Sequence, residues 1–164
     1  MTTAAGLPSY EISNHAALGQ ECRHNLTYWQ ASDWLGVGPG AHGRFTLFDS
    51  TENRAIRNAT VTRRSPAGWL ESVAAKGHGI EKVQIDSLAD WASEMVMMGL
   101  RLANGIDLGA IENLCGPCDD WLDGDGVEQA IAAGLLQRMP NQSTLIASDD
   151  GRLRLNHILS TILR

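Results

Sequence analysis

Cys22-Arg23-His24-Asn25-Leu26-Thr27-Tyr28-Trp29, followed after six residues by Gly36-Val37-Gly38-Pro39-Gly40-Ala41-His42-Gly43, is the stretch on which the reading of the chain turns. Residues 22–43 gather two histidines, four glycines and three of the nine aromatic side chains. Gly38-Pro39-Gly40-Ala41-His42-Gly43 matches the G-x-G-x-x-G pattern of a dinucleotide-binding turn, so the fold depends on what comes next. A dinucleotide fold needs a helix to open there beneath the pyrophosphate, and an acidic residue about 20 positions on to take the ribose. Residues 44–48 read instead as a strand, and Arg63 and Arg64 stand where the acid is required. The glycines therefore let backbone pass close to a ligand or another strand, with His42 as a loop histidine, a second ligand or a proton donor.

The first half of the stretch predicts one or two helical turns within residues 23–35. That spacing puts His24 beside Tyr28 and Asn25 beside Trp29, four apart. A neutral imidazole can ligate haem iron, aromatic rings can flank the porphyrin, and Arg23 can meet a propionate. The same residues also suit a structural turn with Trp29 in the core.

Upstream, residues 9–14 predict a short alternating strand and residues 14–19 a loop. Downstream, residues 44–48 and 54–58 predict two strands around a polar turn at 49–53. Ser65-Pro66 opens a helix with Trp69, Leu70 and Val73 on its apolar face, and Gly77 stops it. A boundary at Lys76-Gly77-His78-Gly79 divides the chain into residues 1–78 and 79–164.

Past that boundary, residues 87–104 predict a helix with a Ser87/Asp90 capping box and a stripe of Leu88, Trp91, Met95, Met98 and Leu102, ended by Asn104-Gly105. At this spacing the methionines read as core. Asp107 caps a short helix to about Leu114. A third helix lies within 119–135, with Val127, Ile131 and Leu135 inward. Residues 136–139 and 144–147 flank Pro140-Asn141-Gln142-Ser143 as a hairpin. A final helix over 149–163 buries Leu155, Ile158, Leu159 and Ile162. Three helices, a hairpin and a closing helix make a small winged-helix-like module, so the fold class is α+β.

A formal net charge of −6 over 164 residues opposes a sequence-independent grip on nucleic acid. Asp119, Asp120, Asp123, Asp125 and Glu128 further place negative charge on the element that would read a groove. The apolar runs are too short for a membrane span and the first residues lack a signal peptide's pattern, which makes a cytoplasmic protein the expectation. Three cysteines are too few for a disulfide framework. Cys115-Gly116-Pro117-Cys118 has the spacing of a thiol-disulfide redox site, but Cys115 closes a helix, where the dipole disfavours a thiolate. An inert turn is the simpler reading.

Four blocks, Tyr10-Glu11-Ile12-Ser13-Asn14, His24-Asn25-Leu26-Thr27-Tyr28-Trp29, Gly36-Val37-Gly38-Pro39-Gly40-Ala41-His42 and Met98-Gly99-Leu100-Arg101-Leu102, with the closing Gly151-Arg152-Leu153-Arg154-Leu155, resemble the oxygen-independent coproporphyrinogen III oxidase-like radical S-adenosylmethionine proteins. The resemblance implies the C-terminal part of such a protein: the end of a partial (β/α) barrel over residues 1–78, then the helical winged-helix-like domain over 79–164. In that family three upstream cysteines hold a [4Fe-4S] cluster that cleaves S-adenosylmethionine. Cys22, Cys115 and Cys118 lack their spacing, so no catalytic residue is assigned and this chain alone is not expected to be an active enzyme.

The His-Asn-x-x-Tyr-Trp block resembles the haem-chaperone branch. It implies haem binding by His24, as metal ligand, with Asn25, Tyr28 and Trp29 and a propionate contact from Arg23, and transfer of haem to respiratory proteins. The other branch would make the chain part of a coproporphyrinogen III dehydrogenase of porphyrin biosynthesis. A chain cut through a barrel is also expected to self-associate through exposed strand edges.

Overall fold

The computed structural model describes residues 2–140 and 143–164. Contacts group the chain into two units, Ser32–Ser87 on the one hand and Met1–Ala31 with Leu88–Arg164 on the other. This grouping is not a cut between residues 78 and 79, because residues 80–85 form a strand that pairs within the first unit. The short helix α1, Arg23–Trp29, belongs to the second.

The Ser32–Ser87 unit is an antiparallel sheet with one helix. Strands β1 (His42–Asp49) and β2 (Arg54–Thr62) pair from His42↔Val61 to Asp49↔Arg54, longer than the sequence suggested. The turn between them is held by Asp49, whose Oδ1 accepts from the Thr51 and Glu52 amides at 2.8 and 3.3 Å. Asn53 takes a left-handed φ of 51°, which its short polar side chain tolerates. Helix α2 (Pro66–Lys76) starts as expected: Ser65 caps it by accepting from the Gly68 amide, and Gly77 ends it at φ 78°.

Its buried side differs from the expected one. Leu70 is 61% exposed, while Ser72 is buried and donates to the His78 carbonyl at 3.1 Å. The stripe runs through Trp69, Ser72 and Val73, three and four apart, and Leu70 sits a further ~100° round the helix. A Cβ at Gly79 would meet the Trp69 indole at 2.2 Å, so the chain leaving α2 crosses directly against that ring. Strand β3 (Ile80–Ile85) then completes the order β1-β2-β3. Strand β3 was not expected from the sequence, because Glu81, Lys82 and Gln84 mask its alternation and most of it is exposed.

In the other unit the expected strand at 9–14 is a compact loop. Tyr10 N–H donates to the Asn14 carbonyl and Ala16 N–H to the Pro8 carbonyl, both at 3.2 Å, leaving only the isolated bridges Ser9↔His15 and Glu11↔Leu102. Helix α3 (Leu88–Gly99) stops five residues before Asn104. A Cβ at Gly99 would lie 2.3 Å from Ile106 Cγ2, so the backbone is pinned there and Leu102 turns back to bridge Glu11. The α3 side of the core is Trp91, Ala92, Val96 and Leu100, with Met95 and Met98 half-buried.

Strand β4 (Ile106–Asp107) leads into α4 (Leu108–Cys115), capped as expected by Asp107, which accepts from the Ala110 amide at 3.2 Å. Asp123 likewise caps α5 (Gly124–Ala132), which buries Val127 and Ala130 and leaves Ile131 half-buried. Strands β5 (Leu136–Arg138) and β6 (Thr144–Ala147) form the expected hairpin, and β4 adds to it in the order β4-β6-β5. Of the predicted turn, Asn141 and Gln142 lie outside the described residues.

The closing helix is two: α6 (Asp149–Leu153) and α7 (Leu155–Ile162), broken at Arg154 with φ −114° and ψ 18°. α7 buries the four residues expected of it, Leu155, Ile158, Leu159 and Ile162. The fold is α+β, with both sheets antiparallel.

Candidate functional site

Helix α1 opens at Cys22, whose φ of −66° and ψ of 105° are those of an extended N-cap, and closes at Gln30. His24 is exposed and Tyr28 half-buried on one face, their rings edge to face with centroids 4.9 Å apart and planes at 77°. The Tyr28 hydroxyl lies 3.4 Å from His24 Nε2, a long and weak hydrogen bond that leaves the imidazole open to a stronger partner. The expected four-residue pairing of imidazole and phenol is therefore present.

Trp29 sits ~100° further round the helix from Tyr28 and turns inward. Its indole packs beneath the Arg101 guanidinium, 5.2 Å from ring centroid to Cζ. It also lines a cavity of about 200 Å³ with Met95, Gly99 and Ile106, and its Nε1 is buried without a hydrogen-bond partner. Asn25 is half-buried and Arg23 exposed. Of the four residues in the block, the fold brings His24 and Tyr28 together on the open face, while Trp29 anchors α1 to the unit beneath it.

The glycine-rich loop resolves differently from a ligand turn. A Cβ at Gly36 would meet the His42 carbonyl oxygen at 2.3 Å, and one at Gly43 would meet Thr60 Oγ1 at 2.6 Å and Gly36 N at 2.9 Å. The close approach is thus made by the chain to itself. Gly40 N–H donates to the Arg63 carbonyl and Ala41 N–H to Thr62 Oγ1, both at 2.8 Å, so these amides are already spent. His42 is exposed at the first position of β1.

A cluster that sequence reasoning missed lies beside this loop. Asp33 accepts from Arg57 Nη1 at 2.6 Å and from the Thr46 amide and hydroxyl, both at 2.9 Å. The Arg57 and Arg44 guanidinium carbons stand 5.6 and 5.9 Å from the Trp34 ring centroid. The sequence signal was faint: Arg57 follows Ala55-Ile56 in a strand that also carries Arg54, Asn58, Thr60 and Thr62, so one more polar residue did not stand out. Its effect is to fasten residues 32–34 to the β1–β2 hairpin.

The redox reading of Cys115 and Cys118 is corrected. Cys115 is 3% exposed at the C-terminus of α4, and burial pushes its thiol from 9.0 up to about 11. Burial, with Glu112 and Asp119 nearby, raises Cys118 as well. Neither thiol is the low-pKa nucleophile that exchange requires. Cys22 is exposed, and among the described residues no three His, Cys, Asp or Glu side chains converge as a metal-ligand group. The cysteines do not fit a cluster site; the exposed imidazole of His24, beside the Tyr28 ring, fits ligation of a porphyrin-held iron.

Residues 86–157 match the family model of the HemN C-terminal domain. The structure is similar over 98% of its length to coproporphyrinogen III oxidase (HemN) from Escherichia coli, a radical SAM enzyme, with TM-score 0.64, 14% identity and 38% of that chain covered, a likeness of fold. These findings define the class: a HemN-type C-terminal region.

In sequence the chain is 31% identical over 163 residues to heme chaperone HemW of Escherichia coli (strain K12), covering 99% of this chain and 40% of that protein. It is 38% identical over 102 residues to the mitochondrial radical S-adenosyl methionine domain-containing protein 1 of Mus musculus, 62% of this chain and 23% of that protein. The chain is homologous to the HemW heme chaperones and to radical S-adenosyl methionine domain-containing protein 1, carries a HemN C-terminal domain over residues 86–157, and corresponds to a C-terminal part of such a protein. It spans less than half the length of these curated relatives.

Proposed function

We propose that this chain binds haem as cargo, with His24 as axial ligand to the iron, and hands it on to haem-requiring respiratory proteins. The observation that carries this reading is the open imidazole on α1, exposed and held by one weak contact to Tyr28. An exposed, loosely paired nitrogen suits a cargo that must leave again. The name heme chaperone, borne by the HemW relatives, points the same way.

In this arrangement Tyr28 lies against the porphyrin edge and Arg23, exposed one residue before the ligand, meets a propionate. Asn25 and Trp29 hold α1 in place from its inner side. We assign neither S-adenosylmethionine nor an iron-sulfur cluster to Cys22, Cys115 and Cys118, whose spacing is not that of the family's cluster ligands. Among the described residues no helix is long and apolar enough to cross a membrane. We place the protein in the cytoplasm, although the Mus musculus relative is named as mitochondrial.

Haem titration of the full chain, followed at the Soret band, tests the assignment. Wild type is expected to give a saturable, shifted band. His24→Ala is expected to lose that shift and to bind at least about tenfold more weakly, roughly 1.4 kcal/mol. The same band with the same midpoint in His24→Ala removes the ligand assignment, and the absence of any saturable band in wild type removes the haem reading.

A further inference from the structure

A cleft of about 490 Å³ at the junction of α6 and α7 lies outside everything described so far. Its wall carries three arginines, Arg101, Arg152 and Arg154, together with Asn156 and His157. In a chain of net charge −6 that is an unusual local concentration of positive groups. The carboxylate seen paired with any of the three arginines is Asp149 on Arg152, and it is 94% exposed.

The guanidinium groups are not fully satisfied by the protein. Arg101 Nε and Arg152 Nη1 are both buried without a hydrogen-bond partner. Arg101 is held from its other side by the Trp29 ring, 5.2 Å from its Cζ, which fixes the fork in place. A buried cationic donor is costly to leave without an acceptor, so two in one wall point to an acceptor that arrives from outside.

The backbone adds to the same field. The break at Arg154 starts α7 inside the cleft, and no side chain caps that eight-residue helix. Its N-terminal dipole and first-turn amides favour an anion at the position the arginines surround. Ile12, Leu153 and Leu155 supply an apolar wall beside them, and Leu153 is 86% exposed with nothing of the described chain covering it.

We propose that this cleft is a binding site for an organic oxyanion, a carboxylate or phosphate group on a small apolar body. The guanidinium forks take the charged oxygens in bidentate fashion, which suits either group, and the apolar wall takes the body. The assignment does not depend on haem binding at His24.

Titrating the full chain with phenyl phosphate and, separately, with benzoate tests it, read by proton–nitrogen NMR at the Arg101 and Arg152 Nε–H signals and the Leu155 and Asn156 amides. Saturable shifts confined to those signals, weakened by added salt, are expected with at least one probe; the tighter probe tells phosphate from carboxylate. Arg152→Gln is expected to weaken binding about tenfold and Arg154→Gln severalfold. Arg154 is exposed, so its variant keeps the fold and carries the test even if Arg152→Gln unfolds. Failure of both probes to saturate, or a folded Arg154→Gln that binds both as wild type does, overturns the proposal.

Discussion

Arg57 is 1% exposed, whereas its partner Asp33 is half in water, and this asymmetry decides what each truncation costs. Asp33→Ala strips a 2.6 Å counterion from a buried guanidinium and is expected to destabilise by about 3 kcal/mol. Arg57→Met leaves behind only a carboxylate that solvent already reaches, and is expected to cost less; urea denaturation of the two variants checks the order. A second expectation concerns the raised thiol of Cys115. Because the folded state favours the protonated form, its contribution is complete below pH 9.0 and is lost as pH rises through about 11. Melting temperature should fall across that window in wild type, and less so in Cys115→Ala. At this scale the sequence was informative only where partners are near neighbours. His24 and Tyr28 are four apart and their contact was legible, but Asp33 and Arg57 are 24 residues apart, and nothing local announces their meeting.

At the scale of elements, close approach explains where helices end and join. At Gly151, in α6, a Cβ would lie 1.9 Å from the Leu135 carbonyl oxygen, and a backbone atom cannot swing aside. Gly151→Ala is therefore expected to destabilise by about 2–3 kcal/mol. Gly124→Ala, at the first position of α5 with nothing within 4 Å, is expected to be neutral or to stabilise by about 0.5–1 kcal/mol. Thermal melts of the pair separate packing from propensity. The same distinction accounts for which elements are legible in the sequence. Helices α4, α5 and α7 carry their own caps or apolar stripes and were found near their expected places. The stop of α3 is set by Ile106, outside the helix, and residues 9–14 meet no strand but only the turn after α3, where Glu11 bridges Leu102 and the Ala103 amide donates to the Tyr10 carbonyl among the described residues.

For the whole molecule, the sheet of the Ser32–Ser87 unit has the larger consequence. By register Val83 and Ile85 on β3 share a face with Leu47 on β1, and these three side chains are 56%, 61% and 56% exposed. Such a face, bounded by edge strands, favours association between copies. The chain is expected to elute as concentration-dependent oligomers on a sizing column, and Val83→Lys with Ile85→Glu to shift it toward monomer; a wild-type monomer at all concentrations would count against this. The other unit has its own consequence, which comes from the size of α1. Seven residues are about half the length at which an isolated helix persists in water. The orientation of the His24 ring is thus borrowed from Trp29, Arg101 and the packing beneath them. A synthetic peptide spanning residues 22–30 would carry every atom of the proposed ligand and lack its aim, and if His24 holds porphyrin as proposed, gentle heating of the folded chain should release it as soon as that anchorage loosens, ahead of any collapse of the remaining structure.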